Sequence, residues 1–169
     1  MLKYLLLVLG VSIAAASCLK SSERTCGFQR SARTAPQQEQ DSLKAWLDSN
    51  HIEAVKHPYG FYYKIITPGE GTDTMTLCSE ILIDYIGQYK SGQVFDQATN
   101  AYLVIGALID GWKSGIPLIR RGGEIKLYIP PSLGYGSKDY VNQQTGAVIV
   151  PANSTLIFNV KLKDYTPGY

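Results

Sequence analysis

Charge is scarce in this chain of 169 residues: Asp, Glu, Lys and Arg together make 18%, below the roughly 25% of an average soluble domain. The formal net charge is only +2. A balance so near neutrality gives no electrostatic footprint for DNA or RNA, and Arg120-Arg121 reads as a short charged turn, so no nucleic-acid partner is expected. Cysteine and histidine are also rare, at three and two. With no C-x-x-C pair and only His51 and His57, which read as exposed polar residues flanking a turn, no metal site is expected. No H-E-x-x-H run occurs, and Gly69-Glu70-Gly71 and Gly122-Gly123 lack the Lys-Ser/Thr ending of a phosphate loop, so they read as turns and no cofactor is implied. Asp84, Asp96 and Asp110 do not read as paired carboxylates, because Asp84 should face away from Tyr85 along a strand. What the chain does have is 45% hydrophobic residues, enough for a packed core, and twelve tyrosines.

Long apolar runs are missing as well. Residues 5–16 are apolar apart from Ser12, but a stretch of this length is too short to cross a bilayer as a mature helix and reads, after Lys3, as a secretory leader. Ala15-Ala16-Ser17-Cys18 at its end resembles the lipobox of bacterial lipoproteins, with Ala15 where Leu is commonest. That resemblance implies a leader of residues 1–17 and lipid on Cys18, which would anchor the protein to the bacterial cell envelope, at the outer membrane, with the membrane face left open. Residues 18–38 are rich in Ser, Arg, Thr, Gln and Pro and are expected to form a flexible tether. An exported compartment permits a disulfide between Cys26 and Cys78, but the sequence leaves open whether they pair.

Residues 39–58 are expected to hold an amphipathic helix and a linker. Leu43, Trp46 and Leu47 fall at helical spacing over 41–52, with Asp41 or Ser42 as a cap. The stripe could cover the domain, serve a dimer or face a client. After Pro58 the apolar spacing becomes alternating, which predicts strands at 61–67, 80–89, 93–96, 101–105, 124–129 and 155–165. Ile81, Ile83 and Tyr85 share one face, as do Ile125, Leu127 and Ile129, and Leu156, Phe158, Val160 and Leu162. Lys90-Ser91-Gly92-Gln93 reads as a hairpin turn. Between the strands there is room for one short helix, beginning near Asp110 and ending between Pro117 and Gly122. The expected fold class is α+β, a mostly antiparallel sheet covered by one short helix over residues 59–169.

Several segments then follow one another in a recognisable order. They are Thr67-Pro68-Gly69-Glu70-Gly71, Asp84-Tyr85-Ile86-Gly87, Gly92-Gln93-Val94-Phe95-Asp96 and Leu108-Ile109-Asp110-Gly111-Trp112. Further along come Arg121-Gly122-Gly123-Glu124 running to Pro130, Leu133-Gly134-Tyr135-Gly136, and Ile149-Val150-Pro151 running to Phe158. In this order they resemble the FKBP-type peptidyl-prolyl cis-trans isomerases, and the resemblance covers about residues 59–165. It implies a curved antiparallel sheet wrapped around a short helix, and a prolyl isomerase acting on proline-containing polypeptides, with macrolide binding as a further implication. Carried onto this sequence, it implies an apolar pocket with Trp112 as floor, Tyr85, Phe95 and Phe158 as aromatic walls, and Leu108, Ile109 and Val150 beside them. Asp96 and Tyr135 would stand at the rim, and the Ile109 N–H would bond a substrate carbonyl.

Three departures from the family pattern are visible. Ala101 or Tyr102 stands near where an aromatic pocket residue is common and the segment Gly106 to Leu108 is short, so one wall of the pocket is expected to be missing or rebuilt; residues 137–146 lengthen a loop that borders the pocket, and Pro117 should end the helix early. Two functions therefore remain open at this level: an envelope-anchored isomerase assisting the folding of exported proteins, or a non-catalytic module holding proline-containing segments or a partner envelope protein. The sequence leaves the oligomeric state open.

Overall fold

The computed structural model describes residues 26–167. The expected leader, Cys18 and the start of the expected tether lie outside the described residues.

Helix α1 (Gln37–Ser49) begins directly after Pro36, whose restricted φ suits a helix start, and carries Glu39 in its first turn, where the helix dipole favours an acid. It stops where Asn50 turns its side chain back to donate to the Trp46 carbonyl at 2.8 Å and His51 takes a left-handed φ of 55°. The apolar stripe ends up inside: Leu43 and Leu47 are each 1% exposed, packed with Tyr62, Tyr128 and Ile157. Of the three fates open to this stripe, the structure shows it covering the domain.

Six strands make one antiparallel sheet: β1 (Val55–Lys56), β2 (Tyr62–Thr67), β3 (Glu80–Tyr89), β4 (Val94–Val104), β5 (Glu124–Ile129) and β8 (Leu156–Tyr165). Their order is β1-β2-β5-β8-β3-β4. Tyr62 pairs with Tyr128, and Tyr128 with Ile157, so the three residues beneath α1 form one row across three strands. The adjacent row, Tyr63, Leu127 and Phe158, faces the opposite side by strand alternation. There it meets α2 (Asp110–Gly115). Two glycines let α2 lie close to β5: a Cβ on Gly111 would come within 2.7 Å of the Ile129 side chain, and one on Gly115 within 2.6 Å of Leu127. A 3-10 turn, Ile116–Leu118, follows at Pro117, as the missing N–H requires.

The expected separate strands 93–96 and 101–105 merge into the single strand β4, which runs from Val94 to Val104. The interruption is a bulge: pairing passes from Ile83 with Ala101 to Tyr85 with Ala98, and Asn100 swings to φ 55° with its N–H donating to Asp84 Oδ1 at 2.8 Å. Three short strands were beyond the reach of periodicity, namely β1, β6 (Tyr140–Val141) and β7 (Val148–Val150). The last two pair with each other as a hairpin within the lengthened loop and its flank.

The tether expectation fails from Cys26 onward. Cys26 is disulfide-bonded to Cys78, Phe28 packs on the backbone at Gly106, and Ala35 is buried with its N–H donating to the Tyr59 carbonyl at 2.9 Å. Polar composition suggested a solvated segment, but a covalent clip and two apolar anchors hold it to the domain. Glu39 of α1 adds a further tie, accepting the Ser132 N–H at 3.0 Å and its hydroxyl at 2.7 Å, just before Tyr135. His57, expected to be exposed, is half-buried, stacked on Phe61 at 4.3 Å. Burial lowers its pKa below the usual imidazole value. Arg121 holds Asp164 at 2.6 Å and Asp73 at 3.1 Å, and lies over the Tyr165 ring.

Candidate active site

The site forms where α2 starts beneath the sheet. Its first turn lifts Trp112 into the concave face, where the indole is 4% exposed. Tyr85 from β3 and Phe158 from β8 stand edge-on to it, with ring centroids at 5.2 and 4.8 Å and interplanar angles of 83° in both cases. Edge-to-face contacts of this kind stabilise by about 0.5–1.5 kcal/mol each beyond the area they bury. The three rings are thus locked before any ligand arrives.

Above them opens a cavity of about 380 Å³. Tyr85, Trp112 and Phe158 line it together with Leu103, Ala107, Leu108 and Ile109. Asp96, Tyr135 and Tyr140 complete the lining. The Tyr85 hydroxyl donates to Asp96 Oδ2 at 2.8 Å. Burial, reinforced by that bond and by the Asp96 charge, holds the Tyr85 phenol far above the usual tyrosine range. The Tyr135 phenol is pushed up too, first by burial and then by Tyr140 and Asp96. Both phenols are therefore neutral hydrogen-bonding groups at physiological pH. Among the described residues two donors are left over: the Ile109 N–H has no backbone acceptor, and the buried Trp112 Nε1 has no partner.

Seven of the nine residues expected around a pocket line this cavity: Tyr85, Asp96, Leu108, Ile109, Trp112, Tyr135 and Phe158. The other two do not. Phe95 lies one layer back, stacked on Tyr89 at 4.9 Å and edge-on to Phe158 at 5.6 Å, and Val150 is buried in the core. The expected gap in the aromatic wall is real in one respect. Tyr102 is 75% exposed, because it pairs with Leu82 on the outer face, and the neighbouring Leu103 lines the cavity instead.

Tyr140 escaped the sequence reading. It belongs to the lengthened loop, which was expected to border the pocket, but nothing in local spacing says which of its side chains turns inward. In the structure its ring stacks on Tyr135 at 4.5 Å and 27°. A larger depression of about 440 Å³ opens on the outer face of the sheet beside Asp84 and Lys161. It lacks the enclosure by three rings, and its Asp84 is already bound to Lys163 at 2.7 Å.

An apolar cavity of this size, floored by an indole and rimmed by neutral hydroxyls and a carboxylate, suits a small cyclic aliphatic group attached to amides. No nucleophile stands next to a base within it. The chain matches the family model described as FKBP-type peptidyl-prolyl cis-trans isomerase over residues 71–163, more than half its length. It is 35% identical over 112 residues to a probable FKBP-type peptidyl-prolyl cis-trans isomerase of Haemophilus influenzae, covering 64% of this chain and 44% of that protein. To the FkpA isomerase of Buchnera aphidicola from Schizaphis graminum it is 39% identical over 109 residues, covering 62% and 40% respectively. The chain thus spans less than half the length of these curated relatives. The crystal structure of FkpA from Escherichia coli superposes with a TM-score of 0.64 at 28% identity, over 77% of this chain and 60% of that one.

Proposed function

The chain belongs to the FKBP-type peptidyl-prolyl cis-trans isomerase family, and on that premise we propose that it catalyses cis-trans exchange of Xaa-Pro bonds in exported polypeptides. Rotation about a peptide bond must break C–N resonance and meets a barrier of roughly 18–20 kcal/mol. Uncatalysed Xaa-Pro exchange takes tens to hundreds of seconds. The twisted amide at the top of the barrier is less polar than either planar form. A cavity that excludes water therefore favours it over both ground states. Each tenfold acceleration requires about 1.4 kcal/mol.

The observation that carries this reading is the Trp112 floor held edge-on between Tyr85 and Phe158 beneath a cavity of about 380 Å³. The prolyl ring would rest on the indole. The Ile109 N–H, which has no backbone acceptor among the described residues, would donate to a substrate carbonyl, and the hydrogen-bonded Asp96–Tyr85 pair would keep the rim polar. No covalent intermediate or metal is needed by this chemistry. A macrolide that filled the same cavity would compete with peptide.

The reading is tested with Xaa-Pro peptides in a protease-coupled assay or by exchange NMR. The full chain should accelerate exchange, and Trp112→Ala should lower kcat/KM at least about tenfold, the equivalent of 1.4 kcal/mol. Exchange at the uncatalysed rate with the folded protein would sink the enzyme and leave a module that only holds proline-containing segments. The place of work, a lipid anchor in the cell envelope, is supported by residues 1–18 of the sequence. Cys18→Ser should abolish acylation and release the protein from membranes; membrane association unchanged in that variant would refute the anchor.

A further inference from the structure

The hairpin β6–β7 is not a slack surface insertion. Asn142 organises its turn, with Oδ1 accepting the N–H groups of Gln144 and Thr145 at 2.9 and 3.0 Å. Its base is tied down on both sides: the Tyr89 hydroxyl donates to the Ile149 carbonyl at 2.8 Å, and the Ala152 N–H donates to Asp139 Oδ1 at 2.7 Å. What this fixed hairpin presents to the cavity is Tyr140. One face of its ring is spent on Tyr135, yet the residue remains 45% exposed and belongs to the cavity lining. A tyrosine whose only task was to shield Tyr135 would not need to reach the cavity. A ring that is stacked, immobilised and still half open is a preorganised contact surface, because it orders little on binding.

We propose that Tyr140 forms a second, aromatic subsite continuous with the prolyl cavity, which takes an apolar side chain next to the proline and so sets the sequence preference of the enzyme. The inference rests on the isomerase reading for the location of the proline. Consecutive Cα atoms are about 3.8 Å apart. The Tyr140 ring lies one stacking distance, 4.5 Å, beyond Tyr135. Trp112, Tyr135 and Tyr140 line the same cavity, so the side chain of a residue adjacent to a proline seated on Trp112 would lie within reach of the open Tyr140 ring. Leu, Phe or Met at that position would cover the exposed ring face, whereas Ala or Gly would leave it wet.

The test uses the full chain, its Tyr140→Ala and Tyr140→Phe variants, and two peptide series in which the residue before or after proline is Gly, Ala, Leu or Phe. In one of the two series the wild type should favour Leu and Phe over Ala. Tyr140→Ala should lower the Leu-to-Ala and Phe-to-Ala ratios of kcat/KM by about five- to tenfold, while Tyr140→Phe, which keeps the ring, should retain them within about twofold. Thermal unfolding checks that the alanine variant is folded. Ratios that agree within about twofold between wild type and Tyr140→Ala in both series overturn the proposal. Titration of the same peptides against tryptophan fluorescence reads the ratios as dissociation constants, independently of turnover. Should no peptide be isomerised, the isomerase reading fails, and the binding ratios still decide for or against the subsite by the same thresholds.

Discussion

Five tyrosines, Tyr62, Tyr85, Tyr89, Tyr128 and Tyr135, have their phenols raised above the usual value of 10.0, and burial is the leading cause in each. Their folded pKa values exceed those of the unfolded chain, so the stability they contribute is complete below pH 10 and is lost as pH rises from there through the folded values. Over that interval the unfolded state sheds protons that the folded state keeps. Each such group can lower stability by up to about 1.4 kcal/mol per pH unit. Urea unfolding should accordingly show a plateau from pH 8 to near 10 and a steep decline above it, with a shallower decline in Tyr85→Phe; a flat profile to pH 11 would contradict the burial of these rings. A second residue acts through absence. A Cβ at Gly87 would fall 2.7 Å from Phe158 Cε1 and 2.9 Å from Phe95 Cζ. Gly87→Ala should therefore cost about 1–3 kcal/mol by overpacking, and should lower kcat/KM because the displaced ring is a wall of the cavity. Denaturant midpoints and peptide assays on one preparation check both effects.

Elements differ in how far the sequence announces them. The strands 80–89, 124–129 and 155–165 were readable because one face of each is buried continuously, as with Ile125, Leu127 and Ile129. Local alternation also placed Tyr85 and Phe158 on the inner face, but Trp112, Asp96 and Ile109 became legible only through the family resemblance. The bulge at Asn100 was invisible, because it depends on an Asp84 carboxylate sixteen residues away, and it made one strand look like two. Tyr140 was hidden for a similar reason: a hairpin two residues wide has no period, and its orientation is set by Tyr89 and Ala152. An amphipathic stripe says what must be buried and not against what, so α1 could be found without its partner. With Leu43 and Leu47 against Tyr62, Tyr128 and Ile157, the helix is an integral layer. Leu47→Ala should destabilise the domain by about 2–5 kcal/mol in chemical denaturation. A loss under about 0.5 kcal/mol would mean that α1 is dispensable.

At the scale of the whole molecule, the Cys26–Cys78 disulfide closes a loop across 52 residues, joining the N-terminal segment to the connection before β3. A constraint on the unfolded chain of that length contributes about 2–4 kcal/mol. Reduction, or the paired change Cys26→Ser and Cys78→Ser, should lower the urea midpoint accordingly, and an unchanged midpoint would show that the clip is thermodynamically silent.

The strand order carries a consequence for how the protein comes to exist. Among the described residues β8 is the last strand, yet it lies in the middle of the sheet, paired with β5 on one side and β3 on the other. While residues 156–165 are still being synthesised, the two halves of the sheet have no common neighbour, and each presents an open edge with its apolar face uncovered. The sheet can close only once residues 156–165 are available to pair with both halves. A protein proposed to help others fold thus relies, for its own sheet, on joining its two halves through the latest of its described strands.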